Sequence, residues 1–270
     1  MSHRIAILGA AGRMGRALAR CLLGGDVPGL QLAGALESPE HPQQGADVGE
    51  LAGAGRCDVL ITDDLLSAAE NADVAIDFSF HAATAEHAAA LSGKGTAMVI
   101  GTTGLTDEEF QSIEEASIRI PIVLAPNMSV GVNLLFSLAE QAAAALRGKG
   151  YDIEIVERHH RLKKDAPSGT ALGLGRAVAR GLETNLDEVA RHGREGITGE
   201  RTDDEIGFHS VRGGDVVGDH TVIFATSGEL IELSHRATTR DTFAIGALRA
   251  ATWVAGRKAG LYSMKDVLKD

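Results

Sequence analysis

The chain has 270 residues, 44% hydrophobic and 23% charged, a globular balance that excludes a disordered or collagen-like polymer and allows one large or two modest domains. Thirty-seven acidic residues against 26 basic ones give a net charge of −11, which argues against nucleic acid or an anionic membrane as partner. Cys21 and Cys57 have neither zinc nor redox spacing, no apolar run approaches the roughly 18 residues of a membrane span, and the apolar segment after Arg4 is too short for a signal peptide, so a cytoplasmic protein is expected.

Short apolar runs recur at residues 5–8, 32–36, 59–61, 74–78, 98–100 and 122–124. Most are unbroken, as strands buried on both faces require. Helical stretches at 12–23, 81–91 and 107–116 alternate with them, which predicts a parallel sheet flanked by helices. After Asn127 the character changes: an alanine- and leucine-rich helix at 130–146, an alternating strand at 151–157, and a helix starting near Ser168. The charged, glycine-rich segment 191–204 reads as a mobile surface loop. Strands at 220–226 and 230–235, joined by Ser227-Gly228-Glu229, read as a hairpin, so the second sheet is mixed. The tail 241–270 opens with Asp241 and Thr242 as an N-cap and continues as an apolar helix expected to pack on the first domain. The expected division is 1–126 with 241–270 for one domain and 127–240 for the other.

Gly9-Ala10-Ala11-Gly12-Arg13-Met14-Gly15 follows the first strand and opens the first helix. Glycine at these points allows a sharp turn, approach of a pyrophosphate to the backbone, and close packing of helix on strand, while the helix amides attract phosphate. Glu37, 22 residues beyond Gly15 and at the end of the second strand, is placed to bind ribose hydroxyls. Gly101-Thr102-Thr103-Gly104 and Ala125-Pro126-Asn127-Met128 follow two further strands, at the ends where open parallel sheets bind ligands. The densest chemistry is Arg158-His159-His160-Arg161-Leu162-Lys163-Lys164, four cations without an acid, followed by Asp165-Ala166-Pro167-Ser168-Gly169-Thr170. Pro167 and Ser168 look like a helix entry, so the amides of Gly169 and Thr170 would form an anion pocket beside the cations, an arrangement that suits a dicarboxylate. His159 and His160 point to opposite faces of an extended chain, poor geometry for one metal ion, and no metal is expected. The scattered His3, His41, His81, His87 and His192 read as solvated surface residues, and a histidine beside ammonium groups as a general acid.

Together these segments, and above all Glu157-x-His159-His160-x-x-Lys163-x-Asp165-Ala166-Pro167-Ser168-Gly169-Thr170, resemble the dihydrodipicolinate reductase family of the bacterial diaminopimelate and lysine route. The likeness continues through Arg194-Glu195-Gly196 and Val216-Val217-Gly218-x-His220-Thr221 to the tail around Met264–Leu268. The resemblance implies a Rossmann-type dinucleotide-binding domain plus a smaller α+β substrate and oligomerisation domain, and hydride transfer from NADH or NADPH to a cyclic imine dicarboxylate. It implies His159 as proton donor or acceptor, Lys163 as proton donor, and His160, Gly169 and Thr170 as substrate ligands. Cofactor contacts carried over are Gly9, Ala10, Ala11, Gly12, Arg13, Met14, Glu37, Gly101, Thr102, Thr103, Ala125, Pro126, Asn127 and Met128. It further implies a homotetramer associated through the substrate domain. Many relatives carry arginine directly after the carboxylate matching Glu37; this chain has Ser38, so NADH is expected to serve at least as well as NADPH. The alternatives are a non-catalytic NAD-binding redox sensor, for which no basic recognition helix is visible, and a transferase using another adenosine cofactor.

Overall fold

The computed structural model describes residues 2–269; Met1 and Asp270, the outer ends of the expected first domain, lie outside the described residues. In chain order the elements are β1 (His3–Leu8), α1 (Arg13–Gly24), β2 (Leu30–Leu36), α2 (Val48–Ala52), β3 (Ile61–Thr62), α3 (Leu65–Ala68), β4 (Val74–Asp77), α4 (His81–Lys94), β5 (Ala97–Ile100), α5 (Asp107–Ser117) and β6 (Pro121–Leu124). There follow α6 (Val130–Leu146), β7 (Asp152–His159), α7 (Gly169–Leu182), α8 (Leu186–Val189), β8 (Ala190–His192), β9 (Ile206–Arg212), β10 (Gly218–Thr226) and β11 (Glu229–Ala237). The chain ends with α9 (Asp241–Val254), β12 (Gly260–Tyr262) and α10 (Met264–Val267). It divides into two compact units, Met1–Val130 with Arg240–Asp270, and Gly131–Thr239.

The first unit holds a seven-stranded sheet in the order β12-β6-β5-β4-β1-β2-β3, parallel throughout. The order reverses at β1, which lies between β2 and β4, and such a switch point opens a crevice at the carboxyl ends of the strands. Ile5, Ile7, Val74, Ile76 and Val99 pack against Leu18 of α1 and Leu248 of α9, whereas Ala6, Leu8, Ala75, Met98 and Ile100 pack against Leu91 and Ile113 on the other face. Apolar layers on both sides are why these strands read as unbroken runs. The tail helix belongs to this unit; Asp241 is its first residue and not its cap, that position falling to Arg240, and the Asp241 carboxylate pairs with Arg20. The strand expected at 59–61 is reduced to Ile61–Thr62 plus a single bridge between Leu60 and Asp47.

The second unit holds a five-stranded mixed sheet in the order β11-β10-β7-β9-β8. β10 runs antiparallel to both β7 and β11, while β7, β9 and β8 are parallel. Ile153, Ile155, Val222 and Phe224 of the sheet pack with Leu135 and Ala139 of α6 and with Leu174 and Val178 of α7. The segment expected to be a mobile loop begins inside β8, and Arg194 and Arg201 both donate to Glu154 of β7 at 2.8 and 3.0 Å. Composition missed this because the tether is made by charged side chains and not by apolar ones. Among the described residues no helix is long and apolar enough to cross a membrane.

Candidate active site

The glycine loop of the first unit is shaped by its missing side chains. Gly9 has φ +80°, a conformation that L side chains rarely adopt, and a Cβ on Gly15 would lie 2.2 Å from the Gly9 carbonyl oxygen. The first turn of α1 therefore sits directly on the β1 turn. Gly9 and Ala10 donate to the Leu36 carbonyl at 3.0 and 2.9 Å, which binds the loop to the end of β2. There Glu37 accepts from the Ala11 amide at 3.0 Å through one oxygen and from the Ser38 amide at 2.9 Å through the other. An ionised carboxylate has about four lone-pair sites, so acceptor capacity remains beyond these two bonds for vicinal hydroxyls. The Gly12 cap makes no side-chain hydrogen bond and the first turn of α1 carries no acid, which suits a pyrophosphate. The cradle therefore fits a dinucleotide.

Ala10 and Ala11 are buried at the base of the loop, Arg13 is exposed and Met14 half-buried. Arg16, which sequence reading passed over, donates Nε to the Ala11 carbonyl at 2.8 Å. At the ends of β5 and β6, Gly101 and Thr102 are buried, Thr103 and Pro126 exposed, and Ala125 and Met128 buried; the Asn127 side chain accepts from the Ser129 amide at 2.9 Å. A second residue outside the expected set organises this rim. Asp77, fully buried at the end of β4, accepts from the Ser79 amide and hydroxyl at 2.8 and 2.6 Å, from the Thr102 hydroxyl at 3.2 Å and contacts His87 Nδ1 at 2.8 Å. The loops after β4 and β5 are thus joined through one carboxylate. His87 is accordingly not a solvated surface residue, and neither is His81, whose Nδ1 lies 2.8 Å from Glu109. A polar residue closing an apolar strand was the available signal for Asp77.

The second unit assembles its site at the end of β7. Glu157 and His159 are two residues apart, so they share the face that packs toward α7. Both are buried, with His159 Nδ1 2.6 Å from Glu157 Oε2. Arg212 of β9 donates to both Glu157 oxygens at 2.7 Å, and the Ser168 amide donates to Oε1 at 3.2 Å. Burial alone would raise the Glu157 carboxyl, but Arg212 and His159 outweigh it and hold it down at about 2. Burial pushes the His159 proton affinity down, Glu157 opposes this, and Lys163 and Arg212 add to it. Ser168 caps α7 by accepting from the Ala171 amide at 3.1 Å, and its hydroxyl meets His220 Nε2 at 3.0 Å. Gly169 and Thr170 open α7, whose first turn carries no acid.

Lys163 follows in the same loop and pairs with Asp165 at 2.9 Å. His160 is half-buried, its Nδ1 enclosed without a hydrogen-bond partner. His159, His160, Lys163, Gly169 and Thr170 therefore occupy one strand-loop-helix connection. Arg212 and His220 were missed as supports, although His220 lies within a segment that carried the family resemblance. A cavity of about 620 Å³ in this unit is lined by Leu146, Tyr151, Asp152 and Leu182 and by none of these site residues. Among the described residues no cluster of three or more His, Cys, Asp or Glu side chains is arranged to hold a metal ion.

Family models match nearly the whole chain: that of the dihydrodipicolinate reductase N-terminus over residues 3–128 and that of its C-terminus over residues 131–268. The 4-hydroxy-tetrahydrodipicolinate reductase of Magnetococcus marinus is 54% identical over 268 residues, 99% of each chain, and that of Alkalilimnicola ehrlichii is 53% identical over the same length. The solved structure of a dipicolinate-bound dihydrodipicolinate reductase from Paenisporosarcina sp. TG-14 has a TM-score of 0.77 at 26% identity, covering 97% of this chain and 98% of that one. An amine dehydrogenase from Mycobacterium smegmatis, with a TM-score of 0.60 at 12% identity and covering 98% of this chain and 95% of that one, shares the fold.

Proposed function

The chain belongs to the dihydrodipicolinate reductase family, and we infer that its two units divide the reaction, the first holding NAD(P)H and the second holding the substrate and supplying protons. It is an NAD(P)H-dependent oxidoreductase that reduces the cyclic imine dicarboxylate 4-hydroxy-tetrahydrodipicolinate to tetrahydrodipicolinate in diaminopimelate and lysine biosynthesis. The relatives favour neither a redox sensor nor a transferase, since those named are reductases.

In this reading Gly9, Ala10, Ala11, Gly12, Arg13 and Met14 face the pyrophosphate, Glu37 the adenosine ribose, and Gly101–Thr103 with Ala125–Met128 the nicotinamide half. When bound, the reduced nicotinamide supplies the hydride. His160 and the first-turn amides of Gly169 and Thr170 hold the two carboxylates, and His159 and Lys163 move the protons that the reduced ring requires. The observation that carries this assignment is that a buried histidine, an ammonium group close enough to lower its proton affinity, and an acid-free helix N-terminus fall within the 12 residues His159–Thr170. The test is a coupled assay with pyruvate, aspartate semialdehyde and the upstream synthase, following oxidation of the reduced cofactor. Loss of absorbance that depends on all components is expected, and its absence would overturn the assignment.

The same reading places the enzyme in the cytoplasm, in keeping with two unpaired cysteines, and in a homotetramer built on the second unit. What supports association is the sheet face opposite α6 and α7, where Val211 and Leu230 are 48% and 57% exposed. Light scattering on purified protein is expected to return four times the chain mass, and a monomer would refute this arrangement.

A further inference from the structure

A carboxylate that is 1% exposed is stable only when its lone pairs are met by donors. Glu157 meets this condition through two guanidinium bonds, the Ser168 amide and His159. An ionised carboxylate only accepts, so the imidazole nitrogen facing it at 2.6 Å must carry the hydrogen. That nitrogen is Nδ1. In the neutral ring Nε2 then bears the lone pair, and it looks toward Gly218, where a Cβ would stand only 3.1 Å away. The groups facing His159 are Glu157 on its own strand, Arg212 from β9, the edge of the His220 ring from β10 at 5.1 Å between centroids, and Lys163 from the following loop. Of these only Glu157 is negative, and only Glu157 favours a charged imidazole. Arg212 also donates to the Asp165 carbonyl at 2.7 Å, so one guanidinium fixes both the carboxylate and the loop bearing Lys163.

We propose that Glu157 is a positioning residue for the reduction: anchored by Arg212 and Ser168, it fixes His159 as the Nδ1–H tautomer and leaves Nε2 as the nitrogen that exchanges the proton. This rests on the reading of His159 as a proton-transferring group. In Glu157→Gln the amide oxygen at the Oε1 position keeps the Arg212 Nη2 and Ser168 donors, while the NH₂ at the Oε2 position gives up the bond from Arg212 Nη1 and turns toward His159 Nδ1, which demands the opposite tautomer.

Long-range proton–nitrogen correlation spectra of the full chain, labelled with ¹⁵N-histidine and recorded at mildly alkaline pH, read the tautomer directly. Wild type is expected to carry the His159 proton on Nδ1 and Glu157→Gln on Nε2. Turnover in Glu157→Gln is expected to fall about 10²-fold, with KM for substrate and cofactor nearly unchanged and the acid limb of the pH profile displaced toward lower pH. Added to His159→Ala, the same substitution should cause no further loss. A wild-type proton on Nε2 overturns the proposal without any variant, even if Glu157→Gln folds poorly. So does a multiplicative loss in the double variant. Lost turnover in His159→Ala with normal turnover in Glu157→Gln overturns the positioning role alone, whereas full turnover in His159→Ala removes the underlying reading as well.

Discussion

Lys163 and His159 lie in the second unit, whereas every residue proposed to hold the cofactor lies in the first. His159→Ala and Lys163→Ala are therefore expected to lower turnover by about 10²- to 10⁴-fold while cofactor affinity, read by quenching of reduced-cofactor fluorescence, stays nearly unaltered. His160→Ala should act mainly on KM for the dicarboxylate. Cofactor choice is a matter of single residues too. The 2′-phosphate of NADPH would bring about two negative charges toward Glu37, and the residue beside it is a serine whose amide already donates to that carboxylate. Arg16 is engaged with the Ala11 carbonyl, so exposed Arg13 is the cation available to compensate. NADH should give a kcat/KM at least equal to that of NADPH, and Ser38→Arg should improve NADPH use by roughly 10- to 100-fold. A tenfold or greater wild-type preference for NADPH would refute the argument and point to Arg13.

At the scale of elements, the contact between β1 and α1 depends on there being no side chain at position 15. Gly15→Ala places a Cβ 2.2 Å from the Gly9 oxygen and 2.6 Å from the Ala10 Cα, neither of which is a flexible side-chain end. The helix has to move, at about 1–3 kcal/mol, and the loop that faces the pyrophosphate moves with it. Weaker cofactor binding with a lower melting temperature is the expected result. Gly93 in α4 is the control, because nothing lies within 4 Å of a Cβ built there. Gly93→Ala should stabilise by roughly 0.5–1 kcal/mol through helix propensity, with cofactor affinity unchanged, and calorimetry on both variants tests the contrast.

For the whole molecule, buried His220 and Glu157 and half-buried Glu154 weigh heavily on the acid side of stability. Burial holds His220 neutral with its pKa pushed down to about 3 against an ordinary 6.5. The unfolded chain takes up this proton below pH 6.5 and the folded chain does not, so the His220 contribution is complete above 6.5 and is lost as pH falls toward 3. For Glu157 and Glu154 burial raises the carboxyls, but Arg212 in one case and Arg194 in the other override it and bring both to about 2 from an ordinary 4.5. Their contribution is present above pH 4.5 and lost as pH falls through that value toward 2. The three signs agree, and His220 acts first, with about 2 kcal/mol lost by about pH 5. Denaturant titrations at stepped pH should show this early decline in wild type and a flatter profile between about pH 6.5 and 5 in His220→Asn.

The short edge strands β3 and β12 of the first unit were misplaced or missed, whereas its strands β1, β2, β4, β5 and β6, its glycine turn, and Glu37 at the end of β2 were legible along the chain. So was the loop from His159 to Thr170. Each is a local pattern, in which apolar runs report burial on two faces, glycine reports a backbone conformation, and spacing places a residue at a strand end. Arg212 lies 55 residues from the carboxylate it holds, His220 lies 52 from Ser168, and Asp77 lies 25 from the Thr102 hydroxyl it receives. Arg194 and Arg201 likewise tie a polar loop to the sheet by reaching Glu154. Such pairings leave no periodicity, because a buried charge is stabilised by whichever donor the fold brings to it. The chain's own order dictated most of the elements and the candidate groups proposed to react, while strand pairing between β7, β9 and β10 decided which side chains hold His159 in place.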